Sequence, residues 1–72
     1  MNTGTAIRLA RAQARLADAR RGIELAREIL DDLMVEGELP RDHDLLVALS
    51  AAKAKTEEVL YEVMAQLEEA EE

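Results

Sequence analysis

Residues 9–33 read LARAQARLADARRGIELAREILDDL. Taken at alternating steps of three and four, they give Leu9, Ala12, Leu16, Ala19, Ile23, Ala26, Leu30 and Leu33. No polar residue interrupts that stripe. Such spacing predicts a long amphipathic helix that must lay an apolar seam on another helix.

The rest of the chain supplies the partner. Glu36-Gly37-Glu38-Leu39-Pro40 breaks the helical pattern. Gly37 suits a left-handed position just past a helix end, and Pro40 suits the first turn of the next helix. Helix 1 is therefore expected over about 5–36, with Thr3 or Thr5 as its N-cap. The turn falls at 37–40, and helix 2 runs over about 41–69. Asp42 and Asp44 place negative charge near its positive end, which is favourable. The acidic tail, Glu68-Glu69-Ala70-Glu71-Glu72, opposes the dipole at the other end and is expected to fray.

The second stripe is wider and less pure: Leu45, Leu46, Leu49, Ala52, Thr56, Val59, Leu60, Val63, Leu67 and Ala70, with Lys53 at its margin. A connection this short makes the helices antiparallel neighbours. Leu33 then falls opposite Leu45 or Leu46, Leu30 near Leu49, Ala26 near Ala52 and Ile23 near Thr56. Farther out, Ala19 meets Leu60, Leu16 meets Val63, Ala12 meets Leu67 and Leu9 meets Ala70. Small residues mostly face large ones there, as close packing requires. Thr56 and Lys53 are read as register-setting: a hydroxyl can bond its own helix backbone, and a lysine stem can reach water. Gly22 costs about 1 kcal/mol relative to Ala in a helix interior. It reads as a tolerated weak point or as a place of close backbone approach.

Charge supports the same pairing. Residues 1–27 carry six arginines against Asp18 and Glu24, net +4, and residues 28–72 carry three basic residues against fourteen acids, net −11. In an antiparallel hairpin the arginine-rich half of helix 1 lies alongside Glu57, Glu58, Glu62, Glu68 and Glu69. Each exposed pair contributes under about 1 kcal/mol, but together they favour this register.

The expected fold class is all-α: an antiparallel two-helix hairpin, coiled-coil-like, pairing into a dimeric four-helix bundle. Seventy-two residues bury little surface alone. Apolar residues also spill beyond one seam. Leu25, Ile29, Met34, Val47, Tyr61 and Met64 are the candidate partner or dimer interface. The homodimer is the first expectation, and a heterologous protein partner the second.

Little points to chemistry. The chain has no cysteine and one histidine, His43, which sits in a helix start without a second His or Cys to complete a transition-metal site. Paired carboxylates occur, such as Asp31 and Asp32 or Glu57 and Glu58, but no Glu-x-x-His motif accompanies them. Ser50, the only serine, lies about two helical turns from His43, which makes a triad within one chain implausible. No catalytic residue, cofactor or metal is expected. The alternative to a protein-interaction role is an RNA- or DNA-binding hairpin using Arg8, Arg11, Arg15, Arg20 and Arg27. Against it stand the net charge of −7 and a single aromatic residue, Tyr61, which leaves no stacking platform.

No run is apolar enough for a membrane span, and the N-terminus lacks the pattern of a signal peptide, so a cytoplasmic place is expected. The composition also fits a designed helical bundle with no biological function. In outline the chain is similar to the small helix-hairpin dimers that bind RNA in plasmid copy-number control. That similarity is architectural, because Phe, used on their RNA face, is absent here. The Glu36–Pro40 turn also resembles that of the small subunit of exonuclease VII, over the turn alone.

Overall fold

The computed structural model describes residues 2–71. Two helices make up the fold: α1, Thr3–Val35, and α2, His43–Glu71. They pack side by side along their length as a hairpin measuring 52 × 15 × 12 Å. Met1 and Glu72 lie outside the described residues, as do the side chains of Ala70 and Glu71.

The helix ends differ from expectation in informative ways. Neither Thr3 nor Thr5 caps α1. Asn2 does so, its Oδ1 accepting from the Thr5 backbone N–H at 2.8 Å. An asparagine with extended backbone is among the best N-caps, so the helix begins at Thr3, ahead of the expected start at about 5. At the other end Gly37 takes φ +83°. The Glu38 N–H donates to the Leu33 carbonyl at 2.9 Å, and the Gly37 N–H to the Met34 carbonyl at 3.2 Å. These are the two bonds of a Schellman motif, which needs a left-handed residue at Gly37.

Pro40 does not begin α2. Helix 2 starts at His43, because Asp42 is its cap: the Leu45 N–H donates to Asp42 Oδ1 at 3.0 Å. The connection therefore runs from Glu36 to Asp42 rather than over 37–40. Helix 2 also continues to Glu71, past the expected end at Glu69.

The seam alternates in steps of three and four and keeps seven of the eight residues of the purest α1 stripe, all half-buried; Ala19 alone is exposed. On α2, Leu46, Leu49, Lys53, Thr56, Val63 and Leu67 are half-buried and Leu60 is buried. On α1, Ala6, Leu9, Gln13, Leu16, Arg20, Ile23 and Leu30 are half-buried and Met34 is buried. On α2 these are the a and d positions of one heptad frame; on α1, Ala12, Ala26 and Leu33 of the adjoining frame are half-buried as well, and Arg27 is exposed. Four seam assignments are thus corrected, Leu45 and Val59 among them, which stay 38% and 48% exposed. Ala19 is exposed and Arg20 takes the inward place; Ala52 is exposed and Lys53 takes the inward place. Long side chains can do this because their apolar stems lie along the seam while the charged ends reach water. Thr56 behaves as expected, its hydroxyl donating to the Ala52 carbonyl at 2.8 Å.

Candidate interaction surfaces

Among the described residues, Met34 and Leu60 are the only buried hydrophobic side chains. A two-helix seam covers one strip of each cylinder, so most apolar side chains stay in contact with water. Of the expected interface residues, Leu25 is 49% exposed, Ile29 60%, Val47 52%, Tyr61 57% and Met64 36%. Met34 is the exception. At 7% exposure it belongs to the hairpin's own core and cannot serve a second protein surface. Its place in the last turn of α1, where the chain folds back, brings α2 over it.

The five exposed residues do not form one patch. At 100° per residue, Met64, Tyr61 and Val47 fall within one arc of α2. Ile29 lies on the opposite flank of the hairpin, and Leu25 on the back of α1, away from α2. The two flanks differ in charge. One carries Glu24, Asp31 and Glu57 beside the seam. There an open groove of about 600 Å³ runs between the helices, lined by Ile23, Glu24, Asp31, Leu49, Lys53 and Glu57 among others.

Lys53 organises this groove. Its Nζ lies 2.7 Å from Glu24 Oε1 across the seam and 3.9 Å from Glu57 Oε1 one turn along α2. The hydrogen bond and charge of Lys53 hold the Glu24 carboxyl below its ordinary value, and Glu24 in turn raises Lys53. Both groups are solvated, so the pair sets register more than it adds stability. Sequence reasoning did not select Glu24. The signal was available in the a-position lysine, which needs a carboxylate at the matching height on the facing helix.

The arginines take no part in the ion pairs of the described residues, which are all made by Lys53 and Lys55. Arg8, Arg11, Arg15 and Arg27 are exposed, and only Arg20 is half-buried. The expected alignment of arginines with the acids of α2 therefore yields no ion pair among the described residues. Arg8 and Arg15 leave α1 beyond the reach of its own α2. They also share no single face with Arg20 and Arg27, which lie toward the seam.

His43 is exposed at the first residue of α2, and Ser50 is exposed beside the groove. Among the described residues, no group of three His, Cys, Asp or Glu is arranged to hold a metal ion. No helix of the described residues is long and apolar enough to cross a membrane. Comparisons with protein-family models, with curated proteins and with solved structures find no match.

Proposed function

We propose that this chain is a non-enzymatic protein-interaction module of the cytoplasm, working as a homodimeric four-helix bundle. One observation carries this reading. The hairpin buries Met34 and Leu60, while Ile29 and Val59 on one flank and Val47 and Tyr61 on the other remain about half exposed or more. A soluble chain gains by covering such surface with another helix pair. The adaptor, regulator or inhibitor role belongs to whatever apolar side chains the bundle leaves free.

The test is the mass in solution together with the concentration dependence of melting. A dimer has twice the 8.0 kDa of one chain, and its Tm rises with protein concentration. A mass of 8.0 kDa with a Tm independent of concentration overturns the homodimer.

A further inference from the structure

We infer that the second copy docks on one flank of the hairpin, the side bearing Ala19 and Val59, and that both turns then lie at the same end of the bundle. This rests on the homodimer reading above and adds to it the face, the register and the topology.

The hairpin only half-covers the uninterrupted stripe of α1: seven of its eight residues are half-buried and Ala19 is exposed. Leu9, Leu16, Ile23 and Leu30 are shared, but Ala12, Ala19, Ala26 and Leu33 sit one heptad position to the side, about 50° around the helix. The hairpin seam itself contains Gln13, Arg20 and Lys53. The apolar surface of α1 therefore extends past the seam on this side, out to the exposed Ala19.

The matching flank of α2 is equally free of charge. Heights across the hairpin are set by the Gly37 turn and the Glu24–Lys53 pair. At equal heights on this flank, Ala19 stands beside Val59, Ala26 beside Ala52 and Leu33 beside Leu45. Farther out Ala12 stands beside Gln66. No charged residue occupies these positions, whereas the other flank carries Glu24, Asp31 and Glu57. A flank 52 Å long and 15 Å wide offers roughly 800 Å² per partner, the size of a standard specific interface.

The next positions outward identify the occupant. They are Arg8, Arg15, Gly22 and Ile29 on α1, and Glu69, Glu62, Lys55 and Ala48 at the same heights on α2. Lining up α1 of one copy against α2 of the other sets Arg8 by Glu69 of the partner subunit. The same step sets Arg15 by Glu62 of the partner subunit. Gly22 leaves room for a lysine, and nothing in the hairpin itself lies within 4 Å of a Cβ built there. A two-fold axis parallel to the helices produces this alignment and puts both turns at one end. The opposite-end arrangement stacks α1 antiparallel on α1 and α2 on α2; at these positions it leaves Arg8 and Arg15 beside Ile29 and Gly22 of the partner subunit and pairs only Lys55 with Glu62 of the partner subunit. Charge complementarity therefore selects the same-end dimer.

Sedimentation of point variants tests this. Ala19→Glu occupies an exposed position, so circular dichroism should still show a helical hairpin. The dimer Kd should weaken at least about tenfold, because two carboxylates enter an apolar interface. Ala54→Glu, on the other flank, should leave the mass unchanged. Arg15→Glu should weaken the dimer, and adding Glu62→Arg to the same chain should restore it. The chain has no cysteine, so Glu38→Cys gives a unique spin-label site. Same-end turns place the two labels within a bundle width, about 20 Å from interaxial spacings of 8–10 Å. Opposite ends separate them by about the 52 Å length. A monomeric wild type overturns both the dimer and this face. A dimer that resists Ala19→Glu overturns the face alone. A label distance near the bundle length overturns the same-end topology.

Discussion

Lys53 Nζ and Glu24 Oε1 meet at 2.7 Å across the seam, the one ion pair among the described residues that joins α1 to α2. The pair ties register to pH. Glu24 is held below 4.5, so its contribution is present above that value and is lost as pH falls through the lowered pKa. Lys53 is raised above 10.5, so its contribution is present below that value and is lost as pH rises through the raised pKa. Glu24→Gln should lower Tm slightly at neutral pH and leave it unchanged in strong acid. Thermal melts of both proteins across pH check this; a difference that persists in acid assigns the effect to packing instead.

Burial within the hairpin separates apolar residues that look alike in sequence. Leu60 is 4% exposed and Leu25 is 49% exposed. Leu60→Ala should cost about 2–4 kcal/mol, from lost transfer energy and the cavity left behind. Leu25→Ala, on the back of α1, should stay within about 0.5 kcal/mol of wild type. Urea unfolding followed by circular dichroism measures both, and equal losses would contradict the seam.

The turn depends on two residues of different kinds. Gly37→Ala places a Cβ at φ +83°, where open space does not help because the backbone conformation itself is strained. The expected cost is about 1–2 kcal/mol. Asp42→Ala removes the cap of α2 and should cost about 1 kcal/mol. Asp42→Asn should recover most of that, since its side-chain oxygen can accept the same bond. Melting of the three variants at one protein concentration distinguishes the two effects.

The exposed arginines should not confer phosphate binding. Arg8 and Arg15 stand at the heights of Glu69 and Glu62, and the whole chain carries −7. Anisotropy with labelled single-stranded and duplex RNA should show no binding that falls with added salt. A steep salt dependence, of the kind produced by counterion release, would assign these arginines to nucleic acid.

Much of this fold is legible from residue order alone. Periodicity places two long helices, and the glycine at 37 places the break, because only a residue free to adopt φ > 0 ends a helix in a Schellman motif. The antiparallel arrangement follows from so short a connection. The boundaries were harder to place. Asn2 and Asp42 act through single side-chain hydrogen bonds, and neighbouring threonines and a proline offer equally good local signals. Of the interface candidates, Tyr61 and Ile29 were recognisable as surplus apolar residues, whereas Met34 was not recognisable as core.

What the chain determines by itself is the presence of two apolar stripes and a turn between them. Which side of α1 faces α2 is a tertiary outcome. Two overlapping frames share Leu9, Leu16, Ile23 and Leu30 and differ by about 50° of rotation. Purity favours the frame through Ala19; the fold mixes the two, with Arg20 and Met34 turned inward but Ala26 half-buried and Arg27 exposed. The reason is physical. A seam between only two helices stays half open to water, so Gln13, Arg20 and Lys53 can lie in it with their polar ends solvated. Along the uninterrupted run from Leu9 to Leu33 the hairpin half-buries seven stripe residues and leaves Ala19 exposed.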